Sequence, residues 1–189
     1  AKAVVGYLGL RIGKLIDNCN VLCSWDVTSE NNWHVFRRQA LPIVWDYHEI
    51  NPIGSLVGNG QSHQRILTPL VSNLSSIDNS AIITHLSATQ LSYPDNFFDA
   101  VFTDPPYYDN VPYSYLSDFF YVWLKRTLGD LYPDLFSTPL TPKSQEIVAY
   151  SINEGGYEEG KKRFEEMLSK AFSEISRVLK PNGIVVIVY

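Results

Sequence analysis

The stretch from Glu158 to Tyr189 narrows the fold more than any other part of the chain. Phe164, Met167, Leu168, Ala171, Phe172, Ile175, Val178 and Leu179 recur at steps of three or four, and Lys161, Glu165, Glu166, Lys170 and Glu174 face away from them. That spacing predicts an amphipathic helix from about Glu158 to Leu179. Pro181-Asn182-Gly183 then stops the helix, and Ile184-Val185-Val186-Ile187-Val188 follows with no polar alternation. A helix, a glycine turn and a strand apolar on both sides make the pattern of a crossover into a parallel sheet covered on both faces. The chain stops at Tyr189, directly after this strand, and opens on Ala1 without an initiator Met. Both ends are those expected of a piece of a longer protein.

The same alternation begins near residue 81. Ala81-Ile82-Ile83-Thr84-His85-Leu86 and Phe98-Asp99-Ala100-Val101-Phe102-Thr103 read as strands separated by an Asn/Asp/Pro turn. Tyr113 to Leu128, crowded with Leu116, Phe119, Phe120, Val122, Trp123 and Leu124, reads as a largely buried helix, with Phe120 and Trp123 in its core, and Pro133, Pro139 and Pro142 punctuate the loop beyond. Upstream, Val4, Val5, Leu8, Ile12, Leu15 and Ile16 predict an amphipathic helix over 2–17. Gly6, Gly9 and Gly13 lower its propensity or, as small residues, allow close packing. A second helix is expected from Thr28 or Ser29 through Trp33, Phe36 and Ala40 to Pro42, and a loop over Asn51 to Gln64, where Gly54, Gly58 and Gly60 cluster. The resulting division is a helical and loop segment, 1–75, packed on a catalytic part, 76–189.

At 189 residues and 45% apolar, the default is one ordinary domain with a sizeable core. A net charge of −5 argues against a protein that binds nucleic acid mainly by wrapping phosphates, though not against an enzyme with a local basic rim. Arg37-Arg38, Lys125-Arg126 and Lys161-Lys162-Arg163 are the short basic groups, each read first as a solvated helix face. Cys19 and Cys23 with His34 fall short of the about four ligands a zinc site needs, so no metal is expected. Asp46 and Glu49 read as helix-end and turn residues. No apolar run approaches the roughly 18 residues of a membrane span, and no secretion signal opens the chain, which points to a cytoplasmic protein with no membrane partner.

Asp104-Pro105-Pro106-Tyr107 follows a predicted strand directly, and so stands at the carboxyl end of the sheet, where open α/β folds bind ligands. Two prolines hold φ at about −65° and remove two N–H donors, leaving a rigid loop of bare carbonyls. Such a loop suits an exocyclic amine, whose lone pair is delocalised into its ring. The Asp104 carboxylate and the Pro105 carbonyl can each accept one N–H, steering the lone pair outward and stabilising positive charge as it develops. Tyr107 offers a flat face for a base withdrawn from its helix. The plainer reading is a rigid turn with a capping Asp.

Asp104 to Tyr107 matches the (Asn/Asp/Ser)-Pro-Pro-(Tyr/Phe) motif of the amino-methyltransferases, and its Asp form is similar to the adenine-specific N6 DNA methylases. The longer string from Asp104 to Arg126, with Gln39 to Pro52 and Leu140 to Ile147, resembles the prokaryotic adenine-specific DNA methylases that carry the DUF1156 domain, over most of the chain from about residue 7. The resemblance implies a partial Rossmann-like α/β fold, with a mostly parallel sheet flanked by helices and an N-terminal helical segment. It also implies S-adenosylmethionine as methyl donor, DNA as acceptor with RNA as an alternative, and Asp104, Pro105, Pro106 and Tyr107 as the catalytic loop. Ala88 and Thr89, in Ser87-Ala-Thr-Gln-Leu-Ser-Tyr-Pro-Asp95, resemble residues that touch the cofactor's adenine ring, with Asp104 also on the cofactor side; their plainer reading is a turn between strands.

Tyr108, Asp109, Asn110 and Tyr113 follow the loop as candidates to line the base or the flipping path, with packing of the adjoining helix as the equal alternative for Tyr108 and Tyr113, and Lys143 either meets a phosphate or is a solvated loop lysine. The Gly-rich loop that holds the methionine end of the cofactor in such enzymes has no counterpart before Asp104; Gly58-Asn59-Gly60 lacks the strand and the aromatic residue. The chain is therefore expected to hold the acceptor half of a site, to bind cofactor weakly or not at all alone, and to depend on the remaining N-terminal part of its parent protein. Rival readings are methylation of an RNA base amine or a protein amide, and a catalytically silent module that binds nucleic acid or a partner.

Overall fold

The computed structural model describes residues 1–37, 39–46, 48–49, 51–53, 60–78, 80–109, 111–149 and 155–188. Arg38, Gly54, Gly58, Asn59 and Asn110, each singled out above, lie outside the described residues. The chain forms two compact units, Ala1–Ser80 with Tyr113–Pro142, and Ala81–Pro112 with Lys143–Tyr189. The expected division at 75/76 is near the first junction, but Tyr113–Pro142, assigned above to the catalytic part, packs with the N-terminal segment.

In the first unit α1 (Lys2–Asn18) packs against α3 (Tyr113–Leu128). The expected helix is there, but its buried face is not the aliphatic one. Gly9, Gly13 and Asn18 are its buried residues, while Val4, Leu8 and Ile12 remain exposed. A Cβ at Gly9 would lie 3.1 Å from Leu128 Cγ, and one at Gly13 3.8 Å from Phe120 Cδ1. The missing side chains are what lets α3 approach. On α3 the buried residues Ser114, Tyr121 and Leu128 recur every second turn, and Trp123, expected in the core, is 37% exposed with the Arg126 guanidinium 5.5 Å from its ring centroid. Phe120 instead joins Phe36 and Phe119 in an aromatic cluster.

The helix expected from Thr28 is a hairpin. β1 (Trp25–Asp26) pairs antiparallel with β2 (Asn31–Asn32). Asp26 accepts hydrogen bonds from the Thr28 N–H at 3.0 Å and from the Ser29 hydroxyl, and Glu30 adopts φ 49°. An Asp followed by Thr and Ser satisfies the backbone locally, and that turn outcompetes a helix whose next residues, Asn31 and Asn32, are poor helix formers. Val35, fully buried, then donates its N–H to the Asp17 carbonyl, closing the loop on the end of α1. The loop expected up to Gln64 gives way earlier, to α2 (Gly60–Leu74), which contains Pro69 and packs on α1.

The second unit is a βαβ arrangement. β3 (Phe98–Thr103) pairs in parallel with β4 (Leu179–Ile187), and α4 (Tyr157–Val178) leads directly into β4. Phe164, Ala171 and Val178 are buried, as the periodicity predicts, and Gly160 is buried with them. Pro181-Asn182-Gly183, expected as a turn before the strand, lies within the β4 run as a bulge. The register passes from Phe98↔Leu179 to Ala100↔Ile184, so five residues advance on β4 against two on β3. Ala81–Leu86, expected as a strand, joins no ladder, and Ile82 and Ile83 are each 88% exposed. The two-faced covering expected for β4 is also absent among the described residues: Ile184 is 64% exposed and Ile187 46%.

Candidate functional site

β3 ends where its last pairing, Thr103↔Ile187, is followed by the Val188 N–H donating to the Thr103 carbonyl at 2.9 Å. Asp104 emerges from that end exposed, and Pro105 behind it is buried. A rigid proline pair seated on the sheet end fixes the direction of the acidic side chain ahead of it. The Tyr107 hydroxyl donates to Asp104 Oδ1 at 2.6 Å. The ring and the carboxylate of the motif are therefore locked to each other, with Oδ1 committed to the phenol.

The chain turns sharply at Tyr108, which adopts φ 54°, a left-handed conformation that a bulky residue takes at a cost. Its surroundings hold it there. The Ala149 N–H donates to the Tyr108 carbonyl at 3.2 Å, the ring meets Phe164 edge-on at 5.2 Å, and its hydroxyl donates to the Tyr157 hydroxyl at 3.4 Å. That hydrogen bond, with a smaller contribution from burial, raises the Tyr108 phenol to about 12. These contacts anchor the loop to α4, which is not the adjoining helix of the packing alternative.

Lys143 opens a segment tied to the same place. The carbonyls of Ser144 and Glu146 accept from the Arg163 guanidinium of α4, the Glu146 N–H donates to the Lys143 carbonyl at 3.2 Å, and the segment ends at Ala149 on Tyr108. Tyr113 belongs to the first unit, where it opens α3 exposed and accepts the Ser117 hydroxyl at 2.6 Å. Asn110 lies outside the described residues.

Ala88 and Thr89 form the centre of a closed turn. The Gln90 N–H donates to the Ser87 carbonyl at 3.1 Å, Ser87 and Thr89 share a hydroxyl–hydroxyl bond of 2.8 Å, and Ala88 is exposed. Glu174, expected to face away from the core side of α4, instead accepts the Leu91 N–H at 2.8 Å, and Arg177 beside it bonds to the same connection. Neither was singled out from the sequence. Their spacing of three on a helix is visible there, but an exposed ion pair looks the same in sequence as one that fastens a distant loop.

One residue of each basic group has a partner close by. Arg37 lies 4.9 Å from the Trp33 ring centroid, Lys125 donates to the Thr138 carbonyl, and Arg163 holds the 144–146 carbonyls. His34 Nδ1 is 2.7 Å from Asp17, and the Cys23 thiol, pushed up by burial, donates to the Asp17 carbonyl at 3.3 Å. Among the described residues no His, Cys, Asp or Glu cluster could hold a metal, and no helix is long and apolar enough to cross a membrane. Open grooves lie between α1 and α2, around Leu8 and Val71, and on α4 around Leu168 and Phe172. Neither is lined by Asp104, Ala88 or Thr89.

Comparison with known protein families, with curated proteins and with solved structures finds no match to this chain.

Proposed function

We propose that this chain is the acceptor side of a Rossmann-like methyltransferase and that its parent protein moves a methyl group from S-adenosylmethionine to the N6 amine of adenine in DNA. The observation that carries the reading is the exposed Asp104 carboxylate, held by the Tyr107 hydroxyl on a rigid proline turn at the carboxyl end of a parallel strand. In this reading Asp104 and the Pro105 carbonyl accept the two N–H bonds of the amine and Tyr107 stacks on the base. The carboxylate then stabilises the positive charge that develops on nitrogen; preorganised groups aimed at developing charge are the largest single contribution in many enzymes. With Oδ1 committed to Tyr107, the amine meets the other carboxylate oxygen.

The cofactor supplies an electrophilic methyl group. The chain's residues fit its adenine end: a closed turn with the small, exposed Ala88 at its tip offers backbone and little side chain to a flat ring. Residues 81–112 contain no glycine, so the loop for the methionine end comes, in this reading, from the remaining N-terminal part of the parent protein. Tyr113, Asn110 and Lys143 are kept as contacts along the path of the DNA, and the protein works in the cytoplasm. That same absence of glycine favours the second reading, a silent module that binds nucleic acid or a partner; an RNA base amine or a protein amide is the rival acceptor.

The test is transfer of labelled methyl from S-adenosylmethionine to duplex DNA, RNA and protein by the full-length parent protein and its D104A variant. Label is expected on DNA adenine, with D104A slowing transfer by about 10²–10³-fold, the usual loss for one charge-stabilising group. Adenine labelling that survives D104A would refute the assigned role, and label confined to RNA or protein would replace the acceptor.

A further inference from the structure

The connection from the Ser87–Gln90 turn into β3 has no regular secondary structure, yet it is held at several points. It runs down the end of α4, where Glu174 and Arg177 fasten it. Glu174 accepts the Leu91 N–H at 2.8 Å and Arg177 Nη2 donates to the Leu91 carbonyl at 2.9 Å, so both polar backbone groups of Leu91 are held by the pair. Arg177 Nη1 donates to the Tyr93 carbonyl at 2.9 Å and to Asp95 at 2.7 Å. Two further bonds of 2.8 Å, from Nε and Nη2, join Arg177 to Glu174. Below this, the N–H groups of Asn96 and Phe97 donate to the carbonyls of Arg177 and Val178 at 3.0 and 2.8 Å, and β3 begins.

An isolated surface ion pair contributes little to stability. This one differs in its partners, among them main-chain groups of a segment outside helix and strand. The acceptors, two carbonyls and two carboxylates, call for the fixed fork of a guanidinium; an ammonium on a flexible stem cannot serve them together.

We propose that Arg177, oriented by Glu174, is a positioning residue that fixes the Ser87–Gln90 turn for the cofactor's adenine ring. This rests on the reading of Ala88 and Thr89 given above. Arg177 touches no cofactor. It acts through Leu91, one residue beyond the turn, by denying that end of the connection the freedom to move.

The experiment follows the amide signals of the ¹⁵N-labelled full-length parent protein during titration with S-adenosylhomocysteine, together with amide hydrogen exchange. Wild type, R177K and E174Q are compared. R177K keeps the charge and loses the fork, and is expected to raise both Leu91 exchange and the ligand concentration that half-shifts Ala88 and Thr89 by about tenfold, the low end of the loss when an outer-shell support is removed. E174Q keeps an oxygen for the Leu91 N–H and should give a smaller change in the same direction; it carries the test if R177K does not fold. Half-shift concentrations that stay within about twofold of wild type while Leu91 exchange rises overturn the positioning role, because a purely structural clamp gives that result. No shift of Ala88 or Thr89 in wild type overturns the cofactor role of the turn and this proposal with it, while the Asp104 transfer assay still decides the chemistry.

Discussion

In the first unit, helix meets helix through absence: Gly9 and Gly13 leave room that Leu128 and Phe120 take up, and the two deepest residues, Val35 and Cys23, are apolar, with Asn18, Asn32 and Leu128 next to them in depth. In the second unit the apolar strand surface is largely uncovered, with Phe102 at 76% exposure, and the irregular segments are held by polar contacts from α4. Arg177 grips 91–95, Arg163 grips 144–146, and Phe164 and Tyr157 seat Tyr108. The contrast teaches where each kind of force is useful. Burial of apolar surface is strong and non-directional, which suits a scaffold. Charge-assisted hydrogen bonds are directional, and they appear where loops that carry candidate chemistry need a defined position.

The largest test of this contrast is Leu128→Ala. Emptying the space between α1 and α3 is expected to cost about 3 kcal/mol, within the usual range for a buried leucine. All four tryptophans, Trp25, Trp33, Trp45 and Trp123, lie in the first unit, so denaturant unfolding followed by tryptophan fluorescence reads that unit alone. If amide exchange in β3 and β4 rises by as much as in α1 and α3, the two units unfold together and the contrast in their cohesion has no separate thermodynamic meaning.

Gly183→Ala examines the second unit at its bulge. The new Cβ would stand 2.7 Å from Leu179 Cγ and Cδ1 and 3.0 Å from the Asp99 carbonyl oxygen. Overpacking of this kind costs about 1–3 kcal/mol. Faster exchange of the β3 and β4 amides is expected with an unchanged tryptophan transition; an unaltered β3–β4 ladder would show that the bulge relaxes freely.

The smallest expected effect is a local one with pH. Hydrogen bonds from Arg177, then the one from the Leu91 N–H, lower Glu174 from its ordinary 4.5 to about 2. A carboxylate lowered on folding stabilises the folded state above its unfolded value and loses that contribution as pH falls toward the folded one. Protection of the Leu91 amide should therefore be full above pH 4.5 and decline between about 4.5 and 2, with the α1 and α3 amides not following it. Protection that stays flat to pH 2 would separate Glu174 from the clamp.

Periodicity carried the long elements because it is local. The spacing of Phe164, Ala171 and Val178 is the buried face of α4, and Phe98–Thr103 is a strand as its residues suggest. The hairpin at 25–32 escaped because Asp26 and Ser29 settle it by side-chain bonds that hydrophobic spacing does not register. α1 was legible as a helix but not in its orientation, since six aliphatic side chains outweigh three glycines in any pattern of hydrophobicity. Of the candidate site, the order Asp-Pro-Pro-Tyr at a strand end was readable as a rigid acidic turn. The bond from Tyr107 to Asp104, the seating of Tyr108 on Phe164 and the hold of Arg177 on Leu91 were not.

What the sequence by itself determined is the set of elements whose information lies within about one or two turns of chain: α4, β3, the stiffness of the proline loop and the amphipathic tendency of α1. Only the tertiary structure decided which faces are buried and which charges are put to use. A glycine face is buried because another helix has the shape to fill it, and Arg177 becomes a clamp because Leu91, more than eighty residues earlier, is folded back to meet it. Both depend on partners distant in sequence, and local spacing holds no record of them.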